Sequence, residues 1–451
     1  MDLDLTLIYL IIFFLSFTLF TFYSKKAGEF SFFSPFFLFP LIYFIYSFAG
    51  LLYFYENQED IFGNSFGFNI GLEYFITCIL GLLGFYIGFF WVIKSKVIVK
   101  VIPSVNPVTF KYIIFFYILI SVLVNPTGIF SQFDLSDIKS YGEVAFDSRL
   151  EYRNNKEFAL VEIFFQTTPI FLLIYSCLEQ FKKSKSLLKI IYIIPCALLI
   201  VHSFLSGTRA VFVSYFLFIF FYLYFTTNIF KSINFIKAVF LIVGFFWVYV
   251  IINIIPIVRS ASDFSQMITL FESFYNQYGF SFLKLQNSSE LQTSINLQKL
   301  QHEIINNGFE FTYGVNLLND FLVFIPRIFY DNRPLPTSEL FASVFYKDVY
   351  SQGGGMGMFV LIDGYWSFGN LGVLITSIFF SAFIAVLYRS ILVKINSNPT
   401  SIFIFVTYFQ AFIVSAVRGG MILSLRSFFL GIFIFYFLAI MSKNLVFTKV
   451  N

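Results

Sequence analysis

The chain has 451 residues, of which 58% are hydrophobic and only 12% are charged, and its formal net charge is +4. Soluble domains average about 45–50% apolar and about 25% charged residues, so this composition excludes an ordinary soluble protein and predicts a membrane protein. The small net charge argues against nucleic acid as a partner. The three cysteines, Cys78, Cys177 and Cys196, lie within apolar runs and argue against a disulfide framework or a zinc site.

A helix that crosses the hydrocarbon core of a bilayer needs about 20 apolar residues. Apolar runs of about this length predict eleven transmembrane helices, at residues 4–23, 33–54, 70–93, 108–125, 159–180, 187–205, 210–227, 236–257, 369–390, 401–417 and 422–441. The predicted fold class is therefore all-α, a polytopic membrane bundle of about eleven helices. The first run follows an acidic start, so we interpret it as a retained span and not as a signal peptide.

Lysine is concentrated in every second connection between these runs, which predicts that those connections are cytoplasmic. The N-terminus is then outside and the C-terminus inside. The longest connection, residues 258–368, falls on the outer side and predicts a large periplasmic loop subdomain. It separates a first segment of eight helices, residues 1–257, from a last segment of three, residues 369–451.

Arginine has a different distribution from lysine. Eight of the nine arginines fall on or near the predicted outer side, and only Arg389 is inside; the eight are Arg149, Arg153, Arg209, Arg259, Arg327, Arg333, Arg418 and Arg426. Guanidinium binds phosphate bidentately and stays charged when partly desolvated, so we favour an outward-facing pocket for a phosphate or pyrophosphate. The alternative is a set of local salt bridges and lipid headgroup contacts.

Four short motifs carry a family resemblance. They are SGTRA at 206–210, FIPRIFYDNRP at 324–334, DGYWSFGNLG at 363–372 and SAVRGG at 415–420. In this order, with a large loop before the last three spans, the chain resembles the bacterial O-antigen and capsule repeat-unit polymerases, the Wzy group. Asp363 stands where we expect that family to carry Glu.

The resemblance implies a GT-C-like fold and an enzyme of the bacterial inner membrane that acts in lipopolysaccharide biosynthesis. Such polymerases transfer a growing glycan from undecaprenyl pyrophosphate to an incoming undecaprenyl-pyrophosphate-linked repeat unit at the periplasmic face. The implied partners are these lipid-linked oligosaccharides, membrane lipid, a Wzz-type chain-length regulator and a Wzx-type flippase. The outer side has no DxD motif, so we expect a metal-independent glycosyltransferase without a cofactor.

The predicted reaction needs cations for the leaving pyrophosphate and a general base for the acceptor hydroxyl. The leading pyrophosphate candidates are Arg209, Arg327, Arg333 and Arg418, followed by Arg149, Arg153 and Arg259; Arg426 is the last candidate and could instead pair with a buried acid. The catalytic candidates are Asp363, which could instead orient an arginine, and His302, which could instead be a solvated surface residue. Tyr365 and Trp366 could stack on sugar rings or anchor the chain at the membrane interface.

Two other functions remain open from the sequence. An O-antigen ligase would be expected to carry a histidine-centred motif in the large loop, and HEIINNGFEFTYG at 302–314 does not match one in spacing. A lipid-linked oligosaccharide flippase also needs a cationic cavity, but transporters usually have two repeated halves, which this chain lacks.

Overall fold

The structure is a computed structural model that describes most of the chain. The residues described are 2–28, 34–57, 68–95, 107–130, 133, 168–184, 188–205, 209–226, 243–244, 246–247, 249–251, 253–254, 264–279, 293–325, 330, 332–351, 355–395, 404–405 and 419–444. Helix dominates these residues, and an isolated parallel bridge joins Met358 to Gly419. The all-α class is confirmed for this part of the chain.

The helices bear the following labels in chain order. They are α1 (Asp2–Lys26), α2 (Pro35–Asn57), α3 (Phe68–Ser95), α4 (Pro107–Val124), α5 (Pro126–Phe130), α6 (Thr168–Lys183), α7 (Leu188–Leu205), α8 (Arg209–Thr226), α9 (Phe264–Tyr278), α10 (Thr293–Asn307), α11 (Val315–Leu322), α12 (Thr337–Phe345), α13 (Lys347–Ser351), α14 (Ile362–Ile395) and α15 (Met421–Asn444).

Within the described residues, four helices are long and apolar enough to cross a membrane. They are Leu5–Lys26, Pro35–Tyr53, Ile70–Ser95 and Ile362–Leu392, and they correspond to the first, second, third and ninth predicted spans. Shorter apolar helices match the fourth, sixth and seventh, at Phe110–Val124, Lys189–Phe204 and Val211–Tyr224. The chain is therefore a helical membrane protein, whereas the count of eleven spans and the GT-C-like arrangement stay predictions.

The chain forms two compact units. The first comprises Met1–Val101, Phe282–Val393 and Tyr408–Phe429, and the second comprises Ile102–Ser281, Lys394–Thr407 and Leu430–Asn451. In the second unit, α6 packs against α4, α7 and α8. There the Tyr222 hydroxyl donates to Glu179 Oε1 at 2.6 Å, and Lys183 pairs with the other oxygen at 3.0 Å. The sequence-based division into two helical segments and a loop stays a prediction.

In the first unit, α3 and α14 approach closely through small residues. A Cβ placed on Gly84 would lie 2.7 Å from Ser377 Cβ, and one on Gly88 would collide with the Ser381 side chain. Gly84 and Gly88 form a G-x-x-x-G pair, which allows the backbones of membrane helices to pack closely and gain van der Waals contact. This contact holds the part of α14 around Ser377 and Ser381 beside α3, further along the helix than the candidate site.

The helix α10 lies in the core of the first unit, although it belongs to the predicted periplasmic segment. It packs against α2 and α3. Its polar side chains are as buried as its apolar ones, since Gln298, Gln301, Leu297 and Leu300 are all 0% exposed. Gln298 Nε2 donates to the carbonyl oxygen of Gly50 at 2.8 Å. Hydrogen bonds of this kind reduce the cost of burying amides, so a segment of low hydropathy lies inside the unit.

Candidate functional site

The DGYWSFGNLG motif begins α14, and the helix breaks inside it. Phe368 and Gly369 leave the helical conformation, and Gly369 has φ 60° and ψ −146°, a combination that essentially only glycine adopts. The chain then folds back, because a Cβ on Gly364 would lie 2.8 Å from the carbonyl oxygen of Gly372. In a straight helix, residues eight apart are separated by about 12 Å. The glycines of the motif therefore make a sharp turn between two helical pieces.

The loop before α11 bonds to a backbone carbonyl just before this break. The Thr312 backbone N–H donates to the Trp366 carbonyl oxygen at 2.9 Å, and the Thr312 hydroxyl donates to the same oxygen at 3.1 Å. A break within a membrane helix is tolerated only where neighbouring groups replace the lost hydrogen bonds. Discontinuous helices of this type form binding sites in membrane transporters.

Asp363 lies before the break and joins α14 to the start of α15. Its Oδ2 accepts the Met421 backbone N–H at 2.8 Å, and the side chain is fully buried. Gly420 has φ 88°, and a Cβ there would lie 3.1 Å from Oδ2, so position 420 favours glycine on both counts. A carboxylate at the first N–H of a helix also interacts favourably with the helix dipole. Among the described residues, Asp363 Oδ1 has no hydrogen-bond partner.

A second buried carboxylate, Asp320 on α11, belongs to the same polar network. Asn316 connects the two, because its Nδ2 donates to the Asp363 carbonyl oxygen at 3.1 Å and its own carbonyl oxygen accepts the Thr337 hydroxyl at 3.3 Å. The Thr337 N–H and hydroxyl donate to the two oxygens of Asp320 at 2.7 and 2.8 Å. Burial raises the pKa of Asp320 to about 6, although these hydrogen bonds favour its charged form.

A third carboxylate, Glu73 on α3, lies beside the break and was missed by the sequence analysis. Its Oε1 accepts the Tyr365 hydroxyl at 2.9 Å and Asn370 Nδ2 at 2.8 Å. Thr77 contacts Asn370 Oδ1 at 2.8 Å and accepts Gln301 Nε2 at 2.9 Å. The sequence contained a signal for Glu73, because an acidic residue inside an apolar run is a functional candidate by default.

The two aromatic candidates occupy different surroundings. The Tyr365 hydroxyl donates a hydrogen bond to Glu73 Oε1. Trp366 is only 2% exposed and packs among Phe309, Phe341 and Phe345, with ring centroids 6.1, 5.8 and 6.2 Å from its own. Stacking of these residues on sugar rings stays a prediction.

The other two candidates with described side chains are His302 and Arg333. His302 Nδ1 pairs with Asn306 Nδ2 at 3.0 Å, one turn further along α10. Arg333 Nη1 donates to the carbonyl oxygens of Val323 and Ile325 at 3.1 and 3.3 Å, just after α11 ends. A catalytic role for His302 and a pyrophosphate-binding role for Arg333 stay predictions.

No side chain is described for any of the seven remaining candidate arginines. Arg209 begins α8 and Arg426 lies in α15, and for these two only the backbone is described; Arg149, Arg153, Arg259, Arg327 and Arg418 lie outside the described residues. The convergent pyrophosphate pocket therefore stays a prediction. Arg389 is buried and donates to the carbonyl oxygens of Val92 and Ile93 at the end of α3. It thereby satisfies helix carbonyls that have no partner within α3.

The described residues contain no group of three or more His, Cys, Asp or Glu side chains that could hold a metal ion. Metal independence stays a prediction, because much of the predicted outer side lies outside those residues.

Comparison with known proteins identifies the family. No curated protein and no solved structure matches the chain significantly. A family model described as O-antigen polysaccharide polymerase Wzy matches residues 3–451, which is nearly the whole chain. The four motifs had predicted this relationship, and the match confirms it. The chain belongs to the Wzy family of O-antigen polysaccharide polymerases.

Proposed function

We propose that this protein polymerises oligosaccharide repeat units at the periplasmic face of the bacterial inner membrane. It transfers the growing glycan from undecaprenyl pyrophosphate to an incoming undecaprenyl-pyrophosphate-linked repeat unit, without a metal ion. The observation that supports the proposal most is the family match over residues 3–451. In this proposal the bundle has eleven spans, and a chain-length regulator and a flippase act beside it.

The first unit supports this proposal because, in the proposed topology, its polar network would lie at the membrane boundary where lipid-linked sugars would arrive. In the proposed topology, α3 enters the membrane at its N-terminal end. Glu73 lies three residues after Ile70, the start of the span, which is about 4.5 Å along the helix axis. The break in α14 lies at the same level, since Tyr365 and Asn370 contact Glu73. A sugar attached to a lipid pyrophosphate can reach this depth while the lipid tail stays in the membrane.

We infer that Asp363 is a positioning residue in this reaction. It is fully buried, and its Oδ2 holds the first backbone N–H of α15. Arg418 precedes Met421 by three residues in the SAVRGG motif, so a carboxylate that fixes Met421 also restricts the segment that carries this arginine. Arginine is suited to the negative charge that develops on a leaving pyrophosphate. The other proposed pyrophosphate ligands are Arg209, Arg327 and Arg333.

The proposal is tested by the surface glycan of a strain that lacks this protein. We expect lipid A-core capped with a single repeat unit, and a full ladder after the wild-type gene is restored. A ligase or flippase deletion would instead leave the core without any repeat unit. An unchanged ladder in the deletion strain would refute the proposed function.

The arginine chemistry is tested in the same complemented strain. Replacing Arg209 or Arg327 with lysine keeps the positive charge but removes the bidentate fork. If bidentate phosphate binding is the role, Arg→Lys should shorten the ladder nearly as much as Arg→Ala. A normal ladder in the lysine variants, at a normal protein level, would contradict bidentate binding.

A further inference from the structure

We propose that Glu73 is the catalytic base that takes the proton from the acceptor hydroxyl. The inference rests on the proposed polymerase function and assigns one of its chemical roles. It concerns a residue that lies on α3, far in sequence from the motifs that carry the family resemblance.

The geometry of Glu73 leaves one oxygen available to a substrate. Oε1 accepts both the Tyr365 hydroxyl and Asn370 Nδ2, at 2.9 and 2.8 Å. Oε2 accepts no hydrogen bond, and the carboxylate forms no ion pair, with any residue in the described ranges. The side chain is partly exposed. A carboxylate oxygen has about two lone-pair sites, so Oε2 can accept a hydrogen bond from an incoming hydroxyl.

The surroundings of Glu73 fix its orientation. Its two donors lie on either side of the α14 break, and Thr77 contacts the Asn370 amide oxygen at 2.8 Å, which directs the amide nitrogen towards Glu73. Gln301 donates to Thr77 at 2.9 Å, and Gln301 Oε1 is buried with no hydrogen-bond partner among the described residues. Unsatisfied buried acceptors are uncommon in native proteins, so this cluster is polar and not fully hydrogen-bonded within the described residues.

A purely structural role does not require a carboxylate at position 73. The carbonyl oxygen of a glutamine could accept the same two hydrogen bonds, without the cost of placing an ionisable side chain in a membrane span. The contacts of Glu73 are with neutral groups, so the charge is not explained by an ion pair within the described residues. A proton-accepting role accounts for an ionisable side chain at this position, because only the carboxylate can take up a proton.

The proposed step transfers the growing glycan from the pyrophosphate to the acceptor hydroxyl. The acceptor hydroxyl oxygen forms a bond to the anomeric carbon of the growing glycan. The bond between that carbon and the pyrophosphate oxygen breaks, and its electron pair stays on the pyrophosphate. The hydroxyl proton passes to Glu73 Oε2 and is released to water after the product leaves.

The test uses the purified full-length protein in lipid nanodiscs, with a synthetic undecaprenyl-pyrophosphate-linked repeat unit as the substrate. Because Glu73→Gln keeps the shape and the two hydrogen bonds at Oε1, we expect a normal melting temperature. General base catalysis typically contributes about 10²–10⁴-fold, so kcat should fall by about 100-fold or more while KM changes less than about twofold. Glu73→Asp should recover part of the rate. The matched control is Glu272→Gln on the exposed face of α9, which should behave as wild type.

The possible outcomes separate the base role from the proposed function. An active wild-type protein whose Glu73→Gln variant keeps kcat within about threefold would overturn the base role alone. A raised KM with unchanged kcat would also overturn it, because Glu73 would then contribute to binding only. A wild-type protein that forms no polymer would overturn the proposed function and the base role together. If Glu73→Gln does not fold, Tyr365→Phe replaces it, with a kcat loss of about tenfold expected and an unchanged kcat contradicting the role.

Discussion

Replacing Asp363 distinguishes a positioning residue from a catalytic base. Asp363→Ala removes the acceptor for the Met421 N–H and leaves that donor buried without a partner. An unsatisfied buried donor costs about 1–3 kcal/mol, and the lost interaction with the α15 dipole adds about 0.3–1 kcal/mol. Asp363→Asn keeps an oxygen that can accept the same N–H, at 2.8 Å in the wild type, so it should lose only about 1 kcal/mol of this stabilisation.

The assay compares the polymerisation rate and the melting temperature of the two variants in nanodiscs. As a positioning residue, Asp363 should tolerate asparagine with about a tenth of the wild-type rate or more, whereas alanine should abolish the ladder. The control is Ser343→Ala in the same unit, because among the described residues the Ser343 hydroxyl bonds only within its own helix, to the Leu340 carbonyl oxygen at 2.7 Å. If asparagine were as inactive as alanine and its melting temperature were normal, the positioning role would be refuted and a direct catalytic role favoured.

Three further predictions concern the stability of the first unit. Gly372→Ala should lower the melting temperature strongly, because its Cβ would collide with the Gly364 carbonyl oxygen. Gly244→Ala should have little effect, because no atom of the described residues lies within 4 Å of the added Cβ. Arg389→Met should cost about 1–3 kcal/mol of stability by leaving the carbonyls of Val92 and Ile93 without their donor, and the rate per folded molecule, measured in nanodiscs, should stay unchanged. The pKa of Asp320 is raised to about 6 by burial, so the folded protein binds this proton more tightly than the unfolded chain does. Its contribution to stability is therefore full below about pH 4 and is lost as the pH rises through 6, by up to about 3 kcal/mol. Asp320→Asn should raise the melting temperature relative to wild type by more at pH 7.5 than at pH 4.5, and an equal difference at both pH values would contradict this assignment.

The sequence predicted the helical membrane class and the family well, but it did not predict the break in α14. Hydropathy predicted a span that begins at residue 369, whereas the helical segment begins at Ile362 and turns sharply at Phe368–Gly369. A hydropathy window averages about 20 residues and cannot detect a turn that depends on one glycine with positive φ. The spacing of Gly364, Gly369 and Gly372 is visible in the DGYWSFGNLG motif, but its geometric meaning required the fold.

The polar network was harder to predict because its members are far apart in sequence. Glu73 and Tyr365 are separated by 292 positions, and Thr77 and Gln301 by 224. The low hydropathy of α10 assigned it to the predicted periplasmic loop subdomain. Its burial was not predictable, because a sequence does not show which backbone and side-chain groups will satisfy buried amides. Eight arginines also form a pattern in the sequence that a single glutamate in an apolar run does not, although the cost of burying a charge applies to both.

The break in α14 connects the two proposed functional groups. Asp363 and Tyr365 precede Phe368–Gly369, and Asn370 follows it, so the turn sets the distance between the carboxylate that holds α15 and the donors that hold Glu73. Glycosyl transfer requires the proton acceptor on the side of the incoming hydroxyl and the cations on the side of the leaving pyrophosphate, and small errors in such positioning reduce the rate steeply. A residue with a side chain at position 369 would strain the turn and shift both groups together. Its effect on the rate should therefore exceed what the loss of stability alone explains, which sets the turn apart from packing glycines such as Gly84.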